Sequence, residues 1–325
     1  MISRRSCLLG SAALALAPAA RVLAQQPQQF TRVAILYPGS VYTDNANALK
    51  KALQEYGYVE GRNIRFEVRH AHGLYGDLPG HAFDLVRGKP DLIITQGTPA
   101  VLALSQATAS IPIVCMSMSD PVGLGVAASL ARPGRNVTGL TNLTAELNAK
   151  RLALLKETVP GIRRVAYLMH PDNPAYAPIF GSMQPAAQSL GMELQRFDMR
   201  PLAELDGAFA AMAAARIDAL VIADEASYYM HMWSICQAAL KRRLPSVSDL
   251  AFAQAGTLIG YGARGLEVAR RVASYVDRIV KGANPGELSI ERPTIFEFVV
   301  NLRTAAALGV RISQETLLRA DRVVE

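Results

Sequence analysis

The sequence predicts an α/β protein of two similar lobes built on parallel sheets and joined by several crossings. Three observations carry this: β-branched apolar runs alternate with helical patterns, the alternation restarts after a break, and Gly and Pro punctuate the joints. At 325 residues the chain is long enough for two domains of ordinary size, and 50% hydrophobic with 19% charged residues describes a globular chain.

In the first half the strands are expected at 32–37, 64–69, 92–95 and 113–117, with helices at 44–56, 77–87 and 99–107. Strands separated by helices of 10–15 residues imply βαβ units, hence parallel sheets with helices on both faces. Near 131–144 the rhythm breaks into a loop and a short extended piece around Pro133 and Gly134. The series then resumes with strands at 164–169, 193–197, 219–223 and 257–261, and helices at 145–158, 174–190, 202–215, 227–241 and 266–280. The break near 131–144, a second at 244–248 and a third near Asn284-Pro285-Gly286 are read as three crossings, which make a hinge. The expected division is 25–138 with about 249–263 in the first lobe, and 139–248 with about 264–325 in the second.

The first 24 residues read as a leader: Arg4 and Arg5, an apolar run through Ala20, then Val22-Leu23-Ala24 with small residues for cleavage after Ala24. Ser3-Arg4-Arg5 followed by Leu8-Leu9 resembles a twin-arginine export motif, and the general secretory route stays open. Cys7 precedes the apolar run and is no lipoprotein cysteine. The mature protein is expected in the periplasm, without an anchor. Its net charge of +7 falls by three when Arg4, Arg5 and Arg21 leave, and no basic block suggests nucleic acid as a partner. Cys115 and Cys236, assigned to different lobes, read as two buried free thiols rather than a disulfide.

Ligands of open parallel sheets bind beyond the carboxyl ends of strands, beside helix N-termini. Three strand ends place a small polar residue before a proline: Gly97-Thr98-Pro99, Ser119-Asp120-Pro121 and Asn173-Pro174. Such an end offers a hydroxyl or amide together with free backbone N–H groups, which suits a carboxylate. Asp120 or Asp224 would accept from an amine or hydroxyl. The candidate ligand residues are therefore Ser40, Thr98, Ser119 and Asp120 from one lobe, with Thr141, Asn173, Asp224 and Tyr261. Tyr42 and Tyr261 are candidates to flank an apolar portion, packing being the competing role.

Other chemistry finds less support. Gly123-Leu124-Gly125-Val126-Ala127-Ala128 fits a dinucleotide fingerprint but follows the fourth strand and ends at Arg132-Pro133, so no nucleotide cofactor is expected. His70, His72 and His81 lack the thiolate or acidic partners of a metal set and read as surface histidines. No catalytic triad, Gly-x-Ser-x-Gly elbow or His-Glu-x-x-His helix occurs, and the expectation is a binding protein, not an enzyme.

Several long motifs also occur in a familiar order. The stretch from Ala48-Leu49-Lys50 to Gly61-Arg62-Asn63, Gly97-Thr98-Pro99-Ala100, Ile111-Pro112-Ile113-Val114, Ser119-Asp120-Pro121-Val122 and Ser129 through Gly139 are among them. Tyr275-Val276-Asp277-Arg278 and Leu317-Leu318-Arg319-Ala320-Asp321 close the series. Together they resemble the ABC-transporter substrate-binding proteins related to tryptophan and tyrosine uptake. The resemblance implies a type I periplasmic-binding-protein fold with two Rossmann-like lobes and three crossings, a ligand in the cleft, and permease and ATPase partners. His170-Pro171-Asp172-Asn173-Pro174 and the acidic Asp224-Glu225 depart from the family pattern and leave aromatic amino acids open as ligands. The leading expectation is a monomeric solute-binding component of an ABC importer for a small carboxylate-bearing ligand. A periplasmic sensor for a membrane kinase or chemoreceptor would carry the same cleft, and a secreted NAD- or metal-dependent enzyme is the third possibility. A gene regulator would need an N-terminal helix-turn-helix where the leader stands.

Overall fold

A computed structural model describes residues 30–40, 43–142, 144–200 and 202–325. The expected leader, Cys7 and Tyr42 lie outside them.

The first lobe runs β1 (Thr31–Tyr37), α1 (Thr43–Glu55), β2 (Ile64–His70), α2 (Leu78–Arg87), β3 (Leu92–Thr95), α3 (Thr98–Ala107), β4 (Ile113–Met118) and β5 (Val137–Thr141). Its strands form one parallel sheet in the order β2-β1-β3-β4-β5. The period of two explains why helices cover both faces. Val33, Ile35 and Tyr37 of β1 enter one core, while Ala34 and Leu36 enter the other. β2 lies at one edge of the sheet, and its Arg65, Glu67 and Arg69 alternate with Ile64, Phe66 and Val68.

The second lobe continues with α4 (Thr144–Thr158), β6 (Arg164–Met169), α5 (Tyr176–Ser189), β7 (Glu193–Asp198), α6 (Leu205–Ala214), β8 (Ala219–Ile222), α7 (Ala226–Tyr229), α8 (Met232–Lys241), β9 (Ser246–Ser248), α9 (Leu250–Ala255) and β10 (Ile259–Ala263). The chain then passes through α10 (Gly265–Val280), β11 (Phe296–Asn301), α11 (Leu302–Leu308), α12 (Gln314–Arg319) and β12 (Arg322–Val324). The second sheet has the order β12-β11-β10-β9-β8-β6-β7, and β10 pairs antiparallel with β11. Its core repeats the same logic: Val165, Tyr167 and Met169 face one side, Ala166 and Leu168 the other.

Long-range pairing redraws the expected C-terminal division. Residues 259–263, expected in the first lobe, are hydrogen-bonded between β9 and β11 in the second sheet. Conversely α10, expected in the second lobe, packs Ala269, Val272, Ala273, Val276 and Ile279 onto the first sheet. Its i, i+3, i+4, i+7 stripe covers the face presented by β3, β4 and β5, beside α1. The crossings accordingly fall between β5 and α4, between β10 and α10, and between Glu291, which bridges to Leu140, and β11. The segment expected as a crossing at 244–248 instead contains β9, beside β8.

The strand ends also differ from expectation. Thr98-Pro99 does open α3, but Asp120-Pro121 leads into turns, and α5 begins only at Tyr176. The Gly123–Ala128 stretch therefore opens no helix. Cys115 and Cys236 are both buried and free, one in each lobe. Among the described residues no helix is long and apolar enough to cross a membrane.

Candidate functional site

The carboxyl ends of β3, β4 and β5 face those of β6 and β8 across the gap between the lobes. Two of the cavities in it share part of their lining. The larger, of about 320 Å³, is lined by Gln96, Ser117, Thr141 and Asn142 from the first lobe and by Arg151, Asp224, Tyr229 and Asp249 from the second. The smaller, of about 30 Å³, holds one water- or ammonium-sized group. Its walls include Tyr75, Thr98 and Ser119 on one side and Asn173, Asp224 and Glu225 on the other. Gln96, Ser117, Asn142 and Asp224 line both, so the two form one recess.

The lobes touch at the rim. A Cβ on Gly39 would overlap the Ala226 carbonyl, and one on Gly73 would stand 2.9 Å from Ser227 Cβ, so glycine at both places lets the backbones close.

Four of the expected residues meet in the smaller cavity. Thr98 is buried, and its Oγ1 accepts from the Ser119 N–H at 3.0 Å, which ties α3 to the end of β4. The Ser119 hydroxyl lies 3.2 Å from Asn142 Oδ1. Asn173 Nδ2 donates to Glu225 Oε2 at 3.0 Å, and its Oδ1 accepts from Ala175 N–H. Asp224 reaches both cavities. Thr141 lines the larger one, its hydroxyl donating to the Met118 carbonyl at 2.8 Å.

The other three are placed elsewhere. Ser40 Oγ pairs with His72 Nδ1 at 3.2 Å on the first lobe. Asp120 is exposed outside the recess, on a neighbouring cavity of about 360 Å³ between the lobes that shares Thr141 and Asn142 with the larger cavity and Ser119 with the smaller; its carboxylate accepts from the Gly123 N–H at 2.9 Å. Tyr261 stacks on Phe296 at 5.9 Å and packs into the second core; the pleat turns its ring away from the cleft. Among the described residues no group of three or more His, Cys, Asp or Glu is arranged to hold a metal.

Sequence reasoning missed the charged centre of the recess. Arg151 is completely buried on α4, in line with Leu147 and Leu155 at i−4 and i+4. An arginine within an apolar helical stripe is the signal that would have found it. Its Nη1 donates to Asp224 Oδ1 at 2.8 Å and Asn148 Oδ1 at 3.1 Å, and Nε donates to the Tyr261 carbonyl at 2.8 Å. Burial works against this charge, but Asp224 foremost, with Asp249 and Tyr229, more than offsets it and holds the guanidinium above its ordinary range. Asp249 caps α9 and accepts from the Tyr229 hydroxyl. Burial and then the neighbouring Asp224 charge push its carboxyl upward. Glu225 is also fully buried, and burial pushes it up to about 8 despite opposing N–H groups of Ser227 and Ala226. Its Oε1 and the Tyr75 hydroxyl have no hydrogen-bond partner.

Two lobes joined by three strands of chain, with polar groups converging from both into a recess at the sheet ends, define a hinged solute-binding protein of the type I periplasmic-binding fold. Residues 33–324 match the ABC transporter substrate binding protein family, and the chain belongs to it. This is a family of solute-binding proteins, not of enzymes. A tyrosine-binding protein of Clostridioides difficile is 23% identical over 262 residues, covering 80% of this chain and 75% of its own. The crystal structure of a conserved domain protein from Vibrio cholerae superposes with a TM-score of 0.85 at 25% identity, covering 91% of this chain and all of the other. An ABC domain from Streptococcus pneumonia in complex with L-Trp superposes with a TM-score of 0.82 at 19% identity, with the same coverage.

Proposed function

We propose that this chain is the periplasmic solute-capturing component of an ABC importer, exported after cleavage following Ala24, which closes as a monomer on an amino acid or related small carboxylate. The observation that carries the reading is the convergence of Thr98 and Ser119 from one lobe with Asn173, Asp224 and Glu225 from the other. The hydroxyls of Thr98 and Ser119 suit a carboxylate, and Asp224 suits an ammonium group. The relative described as tyrosine-binding and the L-Trp-bound neighbour are consistent with an amino acid. Ligand contacts with both lobes favour the closed form, which a membrane permease with its ATPase would read.

The test is thermal unfolding of the extensively dialysed protein against a panel of amino acids, aromatic acids and short carboxylates. A ligand at a thousand times its dissociation constant adds about 4 kcal/mol to stability, a shift of several degrees. A selective shift supports the reading, and a flat response across the panel overturns it.

A further inference from the structure

Arg151 is completely buried, yet one of its nitrogens, Nη2, has no hydrogen-bond partner. The other two are engaged by Tyr261, Asn148 and Asp224. The residue lines the larger cavity, where a Cβ on Gly262 would lie 3.7 Å from Nη2. We propose that Arg151 Nη2 is a specificity contact, donating to an oxygen acceptor at the end of the ligand remote from its carboxylate. This inference rests on the solute-binding reading above.

The argument is one of complementarity between the two cavities. The ammonium of a ligand occupies the smaller cavity beside Asp224, its carboxylate lies at the mouth of that cavity toward Thr98 and Ser119, and the shared residues lead its side chain into the larger one. There Met116, Leu140, Leu147 and Val268 supply apolar wall, Gln96, Asn142, Gln254 and Arg151 supply polar groups, and the single aromatic residue, Tyr229, spends its hydroxyl on Asp249. A wholly apolar side chain would leave this buried cationic donor unsatisfied. An oxygen restores that bond. Arg322, whose buried Nε is also unpartnered, lines the same cavity and adds a second donor toward the same kind of group. Discrimination by a polar site is strong because the wrong ligand leaves the site's own groups unpaired.

The test is calorimetric titration of the full mature protein with three matched pairs: L-tyrosine and L-phenylalanine, 5-hydroxy-L-tryptophan and L-tryptophan, L-glutamate and L-norvaline. In any pair that binds, the oxygen-bearing member is expected to bind at least tenfold more tightly. Gly262→Ala supplies the control. Gly262 is not in the left-handed region, and its added methyl meets Asp249 Cβ at 3.5 Å and Arg151 Nη2 at 3.7 Å, both ordinary contacts. The variant therefore keeps the fold and the Arg151–Asp224 pair but covers Nη2, and the preference within each pair should fall to about one. Equal affinities in the wild-type protein, or an undiminished preference in Gly262→Ala, overturn the role of Arg151 and leave the solute-binding reading standing. Absence of binding by all six overturns the amino-acid reading and this inference with it.

Discussion

The Tyr75 and His170 rings meet across the cleft with centroids 4.7 Å apart and planes 35° from parallel. One ring belongs to each lobe, so the contact exists only while the lobes are together. Aromatic pairs contribute about 0.5–1.5 kcal/mol beyond their burial, which corresponds to a shift of roughly two- to twelvefold in an open–closed equilibrium. Tyr75→Ala should therefore weaken ligand affinity by up to about tenfold and increase the radius of gyration of the ligand-free protein in solution scattering. An unchanged radius and affinity would show that the contact does not hold the lobes together.

Closure should also depend on pH through His170. Burial holds its imidazole below 6.5, with Arg200 acting the same way and Asp172, Glu204 and Asp198 opposing. Its Nδ1 accepts from the Asp172 N–H at 3.3 Å, a bond that protonation removes. Opening exposes the ring and returns it toward its ordinary value, so the closed form is fully favoured above pH 6.5 and loses ground as pH falls below it. Ligand affinity is expected to decline from pH 7 to pH 5, and His170→Gln should flatten that decline. A His170→Gln profile parallel to wild type assigns the pH dependence to another group.

Glu225 imposes the opposite slope on stability. Its carboxyl, raised by burial to about 8, keeps its proton in the folded protein while the unfolded chain ionises near 4.5. Stability from this group is complete below 4.5 and is lost as pH rises toward 8. Glu225→Gln should match wild type in melting temperature at pH 4.5 and exceed it at pH 8 by ~2 kcal/mol of stability, the usual scale for a buried polar group. Denaturant titrations at the two pH values give the comparison directly.

The Arg151–Asp224 pair should behave as a coupled unit. Removing either partner leaves a buried charge uncompensated, at a cost of about 3–5 kcal/mol. Asp224→Leu and Arg151→Met should each destabilise by that amount, and the double variant by clearly less than their sum. Strict additivity in the double-mutant cycle would mean that the 2.8 Å contact contributes no net coupling.

Thr98 and Asp120 should separate under mutation although both close similar sequence motifs. Thr98→Ala removes the group that holds Ser119 in the recess and is expected to weaken ligand binding about tenfold, or 1.4 kcal/mol. Asp120→Ala removes only a turn contact to Gly123 and should leave affinity within twofold. The same calorimetric titration reports both.

The two-lobe α/β plan, the buried strand runs and the polar strand ends at Thr98, Ser119 and Asn173 were legible in the sequence. They depend on local periodicity and local turn chemistry, which residues within a few positions of one another establish. The crossings from β10 to α10 and from Glu291 to β11 were not. An apolar run such as 257–261 fits either sheet equally well, and only its pairing with Val247 and Val300, far away in sequence, decides between them. Arg151 follows the same rule: its helix is readable, but its ion pair with a residue 73 positions later is not. Tyr261 also needed the fold, since the pleat of β10 turns its ring into the core and leaves only its carbonyl for Arg151. The sequence by itself thus determined the kind of protein and the segments that form its cleft. Which side chains meet inside was decided by tertiary structure, because burial, ion pairing and orphaned donors arise only when distant segments exclude water together.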